Sequence, residues 1–278
     1  MLSDRVKQLF SDQLIEWELA KNNYIALAGV KLKTLDVGGC LHKVQFNPAR
    51  IISSSANVDT ASISQRKCFL CKENLPAQQK SIPFGERYLV LVNPYPIFPR
   101  HLTIPDVEHT PQNIASRFGD MLDLAQQLDD YTVFYNGPKC GASAPDHFHF
   151  QAGNKGFLPI ENSSNWKNAI RFASQNKEEM NARFRQIYDS LPHQPNESEP
   201  MMNIIAWYEK NIWTCCLFPR KKHRPDCYFA DGDANMLISP ASVDLGGVFV
   251  MPLEKDFEKI TAKDIADVLN EIVYFNKS

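Results

Sequence analysis

Apolar residues near the start of the chain recur every three to four positions. From Ser3 to Leu27 this spacing predicts one amphipathic helix that buries a single face. The apolar positions of that face are Val6, Leu9, Phe10, Leu14, Trp17 and Ala20. Later runs are rich in β-branched and aromatic residues, which predicts strands. These runs are RYLVLVN, IFPRHLTI, TVFYN, HFHFQAG, NIIAWYEK, IWTCCLF and VFVMP.

Two further helices are indicated by residues that favour helix starts. Thr110 followed by Pro111 predicts an N-cap and a first helical residue, with the helix running on through Phe118. Thr261 and Asp264 have the spacing of a capping box that opens a final helix. Since helices and strands mix without regular alternation, we expect an α+β fold with an antiparallel sheet and packed helices.

The chain also shows signs of two units. A polar stretch, SLPHQPNESEP, has the composition of an exposed linker. Phe98-Pro99-Arg100 recurs as Phe218-Pro219-Arg220, 120 positions later by subtraction. A short echo of this kind fits either a tandem duplication or coincidence.

Composition narrows the class of protein. A length of 278 residues with 44% hydrophobic content is ordinary for a globular protein with a proper core. A formal net charge of -2 argues against a general nucleic-acid binder, whose phosphate contacts need a basic surface. No apolar run approaches the roughly 18 residues that span a bilayer, and the N-terminal segment lacks a signal-peptide core. We therefore expect a cytoplasmic protein with no membrane partner. Its seven cysteines suit reduced thiols or metal ligands.

The densest chemical signal is a strand-like segment in which His147, His149 and Gln151 alternate. A period of two places all three side chains on one face of the sheet. A neutral imidazole is a good nucleophile toward phosphorus. The alternative interpretation is that the two histidines are surface residues or a pair of metal ligands. Small and polar residues in the preceding loop would let a phosphate approach the backbone amides: Asn136, Gly137, Gly141 and Ser143.

At these residues the chain resembles the histidine-triad superfamily, in the branch with the motif H-x-H-x-Q. That branch includes galactose-1-phosphate uridylyltransferase, diadenosine tetraphosphate phosphorylase and GDP-L-galactose phosphorylase. The resemblance implies that His149 becomes nucleotidylated and that Gln151 hydrogen-bonds the phosphoryl oxygens. Ser143 lies four positions before His147 rather than the usual three. His101 and His109 match the superfamily's upstream strand.

The resemblance also bears on organisation, because the transferases of this branch contain two histidine-triad-like units. It implies a catalytic unit over residues 1–160, a helix and linker over 161–199, and a degenerate second unit over 200–278. Within the branch, the second half looks closest to bacterial proteins without an assigned substrate.

A metal site is suggested by Cys68 and Cys71, whose C-x-x-C spacing lets two thiolates grip one zinc ion. His109 and His147 would complete a tetrahedral set, and uridylyltransferases resemble this arrangement. The predicted zinc has a structural role. A redox pair or a metal-free C-x-x-C is the alternative.

Basic residues are candidates for phosphate contacts. Arg220 begins the strongest positive run, and Arg100 stands beside His101. A guanidinium suits bidentate contact with phosphate. The alternative is that the run is a solvated face.

Taken with the resemblance, these residues predict a nucleotidyltransferase or phosphorylase. The donor is a nucleoside polyphosphate or nucleotide sugar, and the acceptor is phosphate or a sugar phosphate. A hydrolase of the same superfamily and a non-catalytic nucleotide-binding protein are the alternatives. Related enzymes form dimers, so a homodimer is also an expectation.

Overall fold

The computed structural model of the chain describes residues 2–51, 60–164, 166 and 168–274. Eleven strands lie in these ranges: β1 (Lys31–Val37), β2 (Cys40–Phe46), β3 (Ser81–Phe84), β4 (Tyr88–Val92), β5 (His101–Pro105), β6 (Tyr131–Asn136), β7 (His149–Asn154), β8 (Ile170–Ser174), β9 (Met202–Glu209), β10 (Ile212–Pro219) and β11 (Val248–Met251). The helices of the same ranges are α1 (Leu2–Glu16), α2 (Glu18–Ala28), α3 (Thr60–Gln65), α4 (Phe118–Gln127), α5 (Lys177–Ser190), α6 (Ser242–Leu245), α7 (Glu254–Lys259) and α8 (Ala262–Ile272).

The strands form two sheets. The larger sheet has the order β3-β4-β5-β7-β6-β9-β10-β8, and every pairing in it is antiparallel. The smaller sheet has the order β1-β2-β11, in which β11 runs parallel to β2. The predicted α+β class with an antiparallel sheet is therefore confirmed. The division into two histidine-triad-like units stays a prediction.

Each face of the large sheet has its own hydrophobic core. On one face Phe148 and Phe150 pack with apolar residues of α1, α4 and α5. On the other face Phe134 and Phe218 pack with the small sheet and with α8. The strand β7 lies near the centre of the large sheet, so it is hydrogen-bonded to β5 along one edge and to β6 along the other. A central position fixes the strand that carries the predicted chemistry.

All seven predicted strand segments contain a strand, but β1, β2, β3 and β8 were not predicted. The capping box of α8 is confirmed, because Thr261 Oγ1 accepts a hydrogen bond from the backbone N–H of Asp264. In the described part of the chain, no helix is both long and apolar enough to cross a membrane.

Two helix predictions were wrong in their bounds. The predicted first helix is broken at Trp17, whose backbone is extended, into α1 and α2. The helix predicted to begin at Thr110 begins at Phe118 instead. The strand predicted to include His147 begins at His149, because the backbone N–H of His147 bonds to the Ala144 carbonyl in a turn.

Candidate active site

A cavity of about 550 Å³ opens on the face of the large sheet that carries His149 and Gln151. The predicted site residues that line it are Asn136, Gly141, Ser143, His149 and Gln151. Gly137, His147, Arg100 and Arg220 are not part of the lining. The structure therefore brings most of the predicted loop and strand residues to one place.

The ring of His149 is held in one tautomer. Its Nδ1 lies 2.8 Å from the backbone carbonyl oxygen of His147, which can only accept a hydrogen bond. The Nδ1 atom therefore carries the proton, and Nε2 keeps its lone pair. Burial lowers the pKa of His149 to about 4. The geometry and the neutral ring together leave a nitrogen with an available lone pair beside the cavity.

The backbone around His149 is held by Gln112, which the sequence analysis missed. The fully buried Gln112 accepts a hydrogen bond from the His149 N–H at 2.8 Å and donates to the His149 carbonyl at 2.9 Å. It also donates to the Asn136 carbonyl. Gln112 therefore joins the start of β7 to the end of β6. No local pattern marks it, since its partners lie 24 and 37 residues away.

Gln151 is oriented by His101. The backbone N–H of Ile97 donates to His101 Nδ1 at 3.2 Å, so the ring proton sits on Nε2. That Nε2–H donates to Gln151 Oε1 at 3.0 Å. Because the Gln151 oxygen is engaged, its amide NH2 group is the part that can serve as a donor in the cavity.

The buried His101 gives a testable pH dependence. Burial, with the nearby Arg50 charge, lowers the pKa of His101 to about 3. The unfolded value is about 6.5, so below that pH the unfolded chain binds more protons and the native state loses stability. We expect this residue to reduce the free energy of unfolding by about 2 kcal/mol between pH 7 and pH 5.

The measurement is urea unfolding of wild type and His101→Phe at several pH values. The wild type should lose more stability than the variant as the pH falls from 7 to 5. Equal slopes for the two proteins would contradict a neutral, buried His101.

Asn136 is fixed by residues from the second half of the chain. Its Oδ1 accepts hydrogen bonds at 2.8 Å from the Ser242 backbone N–H and from Asn203 Nδ2. Arg220 in turn donates to Asn203 Oδ1 at 2.6 Å and to the Pro240 carbonyl. The Asn136 amide NH2 group is thereby left to face the cavity. Arg220 supports the site through Asn203.

The glycines of the loop allow close packing. Gly141 has a φ of +93°, and a Cβ atom there would lie 2.6 Å from the Ala241 Cβ. At Gly137 a Cβ atom would lie 2.8 Å from the Met202 carbonyl oxygen. Only glycine fits both positions without a shift of the backbone. This packing brings the loop against the segment that precedes α6.

Two arginines that line the cavity were not among the predicted residues: Arg50 and Arg66. Arg50 donates to the Tyr95 carbonyl at 2.7 Å, and burial lowers its pKa to about 10. Arg66 donates to the Ser143 carbonyl and to the Asp146 carboxylate. Its buried Nε–H has no partner among the described residues. Both guanidinium groups line the cavity, and that of Arg66 is ion-paired with Asp146, so the cavity offers guanidinium donors to an anion.

The predicted cations lie elsewhere. The guanidinium of Arg100 stacks over the Tyr131 ring at 5.2 Å, and the Arg220 guanidinium donates to Asn203 and to the Pro240 carbonyl.

A buried acid, Asp244, also lines the cavity, and burial raises its pKa to about 6. The Arg50 charge opposes that shift.

Next to the cavity is a cluster of possible metal ligands: Cys68, Cys71, His109 and His147. Their ligand atoms all lie within 4.8 Å of one another. The Cys68 Sγ is 3.3 Å from His147 Nδ1, and the Cys71 Sγ is 3.1 Å from His109 Nδ1. The four residues predicted as ligands therefore do come together, and their arrangement could hold a metal ion.

The donor set fits zinc. Tetrahedral bonds of about 2.3 Å to sulfur and 2.0 Å to nitrogen place those atoms about 3.5 Å apart, close to the distances observed. The other ring nitrogen of His147 lies 2.9 Å from the Asp106 carbonyl oxygen. That of His109 lies 3.5 Å from the Asp146 carboxylate. Such partners orient a histidine so that Nδ1 faces the metal.

The chain belongs to the family described as "Domain of unknown function (DUF4922)", which matches residues 9–154. Galactose-1-phosphate uridylyltransferase of Halalkalibacterium halodurans is 32% identical over 110 residues, covering 34% of this chain and 22% of that enzyme. The Bacillus subtilis uridylyltransferase is 29% identical over 133 residues, covering 42% and 25%. The matches thus span at most about a quarter of these relatives.

The fold resembles that of yeast Ap4A phosphorylase over nearly the whole chain. One crystal structure superposes with a TM-score of 0.67 at 15% identity and covers 98% of both chains. The complex with AMP gives a TM-score of 0.63 at 17% identity, covering 98% and 97%. The predicted resemblance to the uridylyltransferases and to diadenosine tetraphosphate phosphorylase is confirmed by these sequence and structural similarities. At such identities the structural likeness establishes the fold alone.

Proposed function

We propose that the protein transfers nucleotidyl groups through a nucleotidyl-His149 intermediate. The observation that carries the proposal is the His149 ring, whose Nδ1 is bonded to the His147 carbonyl while Nε2 is available at a cavity. The proposed donor is a nucleoside polyphosphate or a nucleotide sugar. The acceptor is phosphate or a sugar phosphate.

The reaction proceeds by two displacements. The Nε2 lone pair of His149 attacks the α-phosphorus, and the bond to the leaving phosphate or sugar phosphate breaks with its electron pair. An oxygen of the acceptor then attacks the same phosphorus, and the P–N electrons return to Nε2. The His149 Nδ1 proton stays on the nitrogen throughout and donates to the His147 carbonyl, which supports the positive charge on the ring.

In this proposal, amide and guanidinium donors that line the cavity bind the phosphate groups. We propose that the NH2 groups of Gln151 and Asn136, which both line the cavity, donate to phosphoryl oxygens. Arg50 and Arg66 supply guanidinium donors for the phosphates. These groups are oriented before a ligand arrives, which is the condition for strong electrostatic stabilisation.

We also propose that Cys68, Cys71, His109 and His147 bind one structural zinc ion. The ion would fix the turn that carries His147, whose carbonyl oxygen holds the nucleophile's ring. We further propose that the protein forms a homodimer and is located in the cytoplasm.

The acceptor can be tested by following donor consumption with 31P NMR. ATP, GDP-hexoses and UDP-hexoses are each incubated with enzyme alone, with phosphate, and with a hexose 1-phosphate. We expect rapid consumption of the donor only when an acceptor is present, because a glutamine at the position of Gln151 is typical of the transferase branch. Consumption in water alone at the same rate as with phosphate would establish a hydrolase instead.

A further inference from the structure

The floor of the cavity runs across four strands of the large sheet. Leu91 of β4 is paired with Thr103 of β5, Thr103 with Gln151 of β7, and Gln151 with Phe134 of β6. All four line the cavity. Neighbouring strands lie about 4.8 Å apart, so Leu91 lies about 10 Å from Gln151 across the sheet. The cavity therefore extends well beyond the nucleophile, towards β4.

The wall near β4 is built by the corner between α1 and α2. Trp17 and Leu19 from this corner line the cavity, together with Leu75 and Pro76. Trp17 is the single extended residue between the helices, and its side chain makes no capping hydrogen bond. Tryptophan is not a favoured N-cap residue, so local helix chemistry does not account for its presence.

Hydrogen bonds hold this corner in place. The fully buried Gln13 donates to the Gln78 carbonyl and accepts from the Lys80 backbone N–H. Asn23 donates to the Pro94 carbonyl at 2.7 Å. Tyr24 accepts from the backbone N–H of His101, at 3.2 Å. The wall is therefore fixed to the strands that form the floor.

The indole of Trp17 has an unused polar group. The side chain is only 5% exposed, and no acceptor in the described part of the chain bonds its Nε1–H, but the Nε1 atom itself keeps contact with solvent. In contrast, the buried Trp166 and Trp213 donate to the carbonyls of Leu245 and Leu122. Because Trp17 lines the cavity and its N–H has no protein partner, this donor is available to an acceptor on a bound ligand.

We infer that Trp17 binds the nucleobase of the substrate. This inference rests on the proposed function, which places the α-phosphate at His149. The sugar then lies over the floor between β7 and β4, and the base reaches the α1–α2 corner. There the base contacts the apolar side chains, and the Trp17 N–H donates to a ring nitrogen or carbonyl oxygen of the base.

Binding of non-reacting probes tests the inference. AMP, GMP, UMP and ribose 5-phosphate are titrated by calorimetry into wild type, Trp17→Ala and Trp17→Phe. Trp17→Ala should weaken binding of the preferred monophosphate by about tenfold or more, the range seen when a base loses an aromatic partner. Ribose 5-phosphate has no base, so its affinity should not change.

The phenylalanine variant keeps an aromatic ring but lacks the N–H, so it should lose only part of the affinity. If Trp17→Ala does not fold, the affinities of Trp17→Phe provide the test instead. Trp207→Phe is the matched control, because Trp207 is likewise 5% exposed but does not line the cavity. Binding should quench the intrinsic fluorescence of Trp207→Phe and leave that of Trp17→Phe nearly unchanged.

Several outcomes would overturn the inference. They are equal affinity of wild type and Trp17→Ala for all three monophosphates, an equal loss for ribose 5-phosphate, and no binding of any monophosphate by wild type. Failure of the proposed catalysis gives a different pattern: monophosphates bind through Trp17, but no donor is turned over.

Discussion

Replacing His149 by alanine is expected to lower the rate of nucleotidyl transfer by about a thousandfold or more, as removal of an enzymic nucleophile does. The variant loses the nitrogen that attacks phosphorus, while Arg50, Arg66 and Gln151 still line the cavity. Nucleotide binding should therefore change little. Turnover and calorimetric binding are measured on the same preparations.

His193→Ala is the control for the His149 variant, since His193 is an exposed histidine outside the cavity. It should behave as wild type in both assays. If His149→Ala retains the wild-type rate, the covalent mechanism is wrong. If wild type and variant bind nucleotide equally and neither turns over any donor, the protein is a nucleotide-binding protein.

The second large effect is expected at the metal cluster. Cys68→Ser should remove the bound zinc and lower the melting temperature by about 10 °C, because a structural metal contributes several kcal/mol to folding. Metal content by mass spectrometry of the purified protein and thermal unfolding measure the two changes. The loss should be reproduced by treating wild type with a strong chelator.

Cys227→Ser is the matched control, because Cys227 is a half-buried cysteine outside the cluster. It should keep both the zinc and the melting temperature. Wild-type protein purified without any bound zinc, and with a melting temperature insensitive to chelator, would contradict the zinc proposal.

Local chemistry made several features predictable from the sequence. The alternation in HFHFQAG places His149 and Gln151 on one face of β7, and both line the cavity. Phe148 and Phe150 point into the opposite core, as the same alternation requires. The capping box at Thr261 needs only neighbouring residues, so it was equally visible.

Distant contacts account for the wrong helix start at Thr110. The N–H of Gln112 bonds to the Pro145 carbonyl, and the N–H of Ile114 bonds to the Glu199 carboxylate. The Thr110 carbonyl accepts from the Phe148 N–H. These partners replace the bonds that a helix would provide, so tertiary structure overrides the local preference.

The charged residues of the cavity could not be predicted from the sequence, because their positions also depend on contacts between distant segments. Arg50 and Arg66 precede the motif by many residues; Arg50 has no basic neighbour, and Arg66 has only Lys67 beside it. Only the folded sheet brings their segments beside β7. Arg220, chosen because it begins a basic run, is instead buried against carbonyl oxygens. A run of charge in sequence does not reveal which face the fold will expose.

The measurement that tests the central claim most directly is the intact mass of the protein after incubation with a donor and no acceptor. ATP, GDP-hexoses and UDP-hexoses are supplied separately to wild type and to His149→Ala. We predict an acid-labile gain of one nucleoside monophosphate in wild type alone, and its mass identifies the base. Turnover of a donor by wild type without any such adduct, under conditions that preserve phosphoramidates, would contradict a nucleotidyl-His149 intermediate.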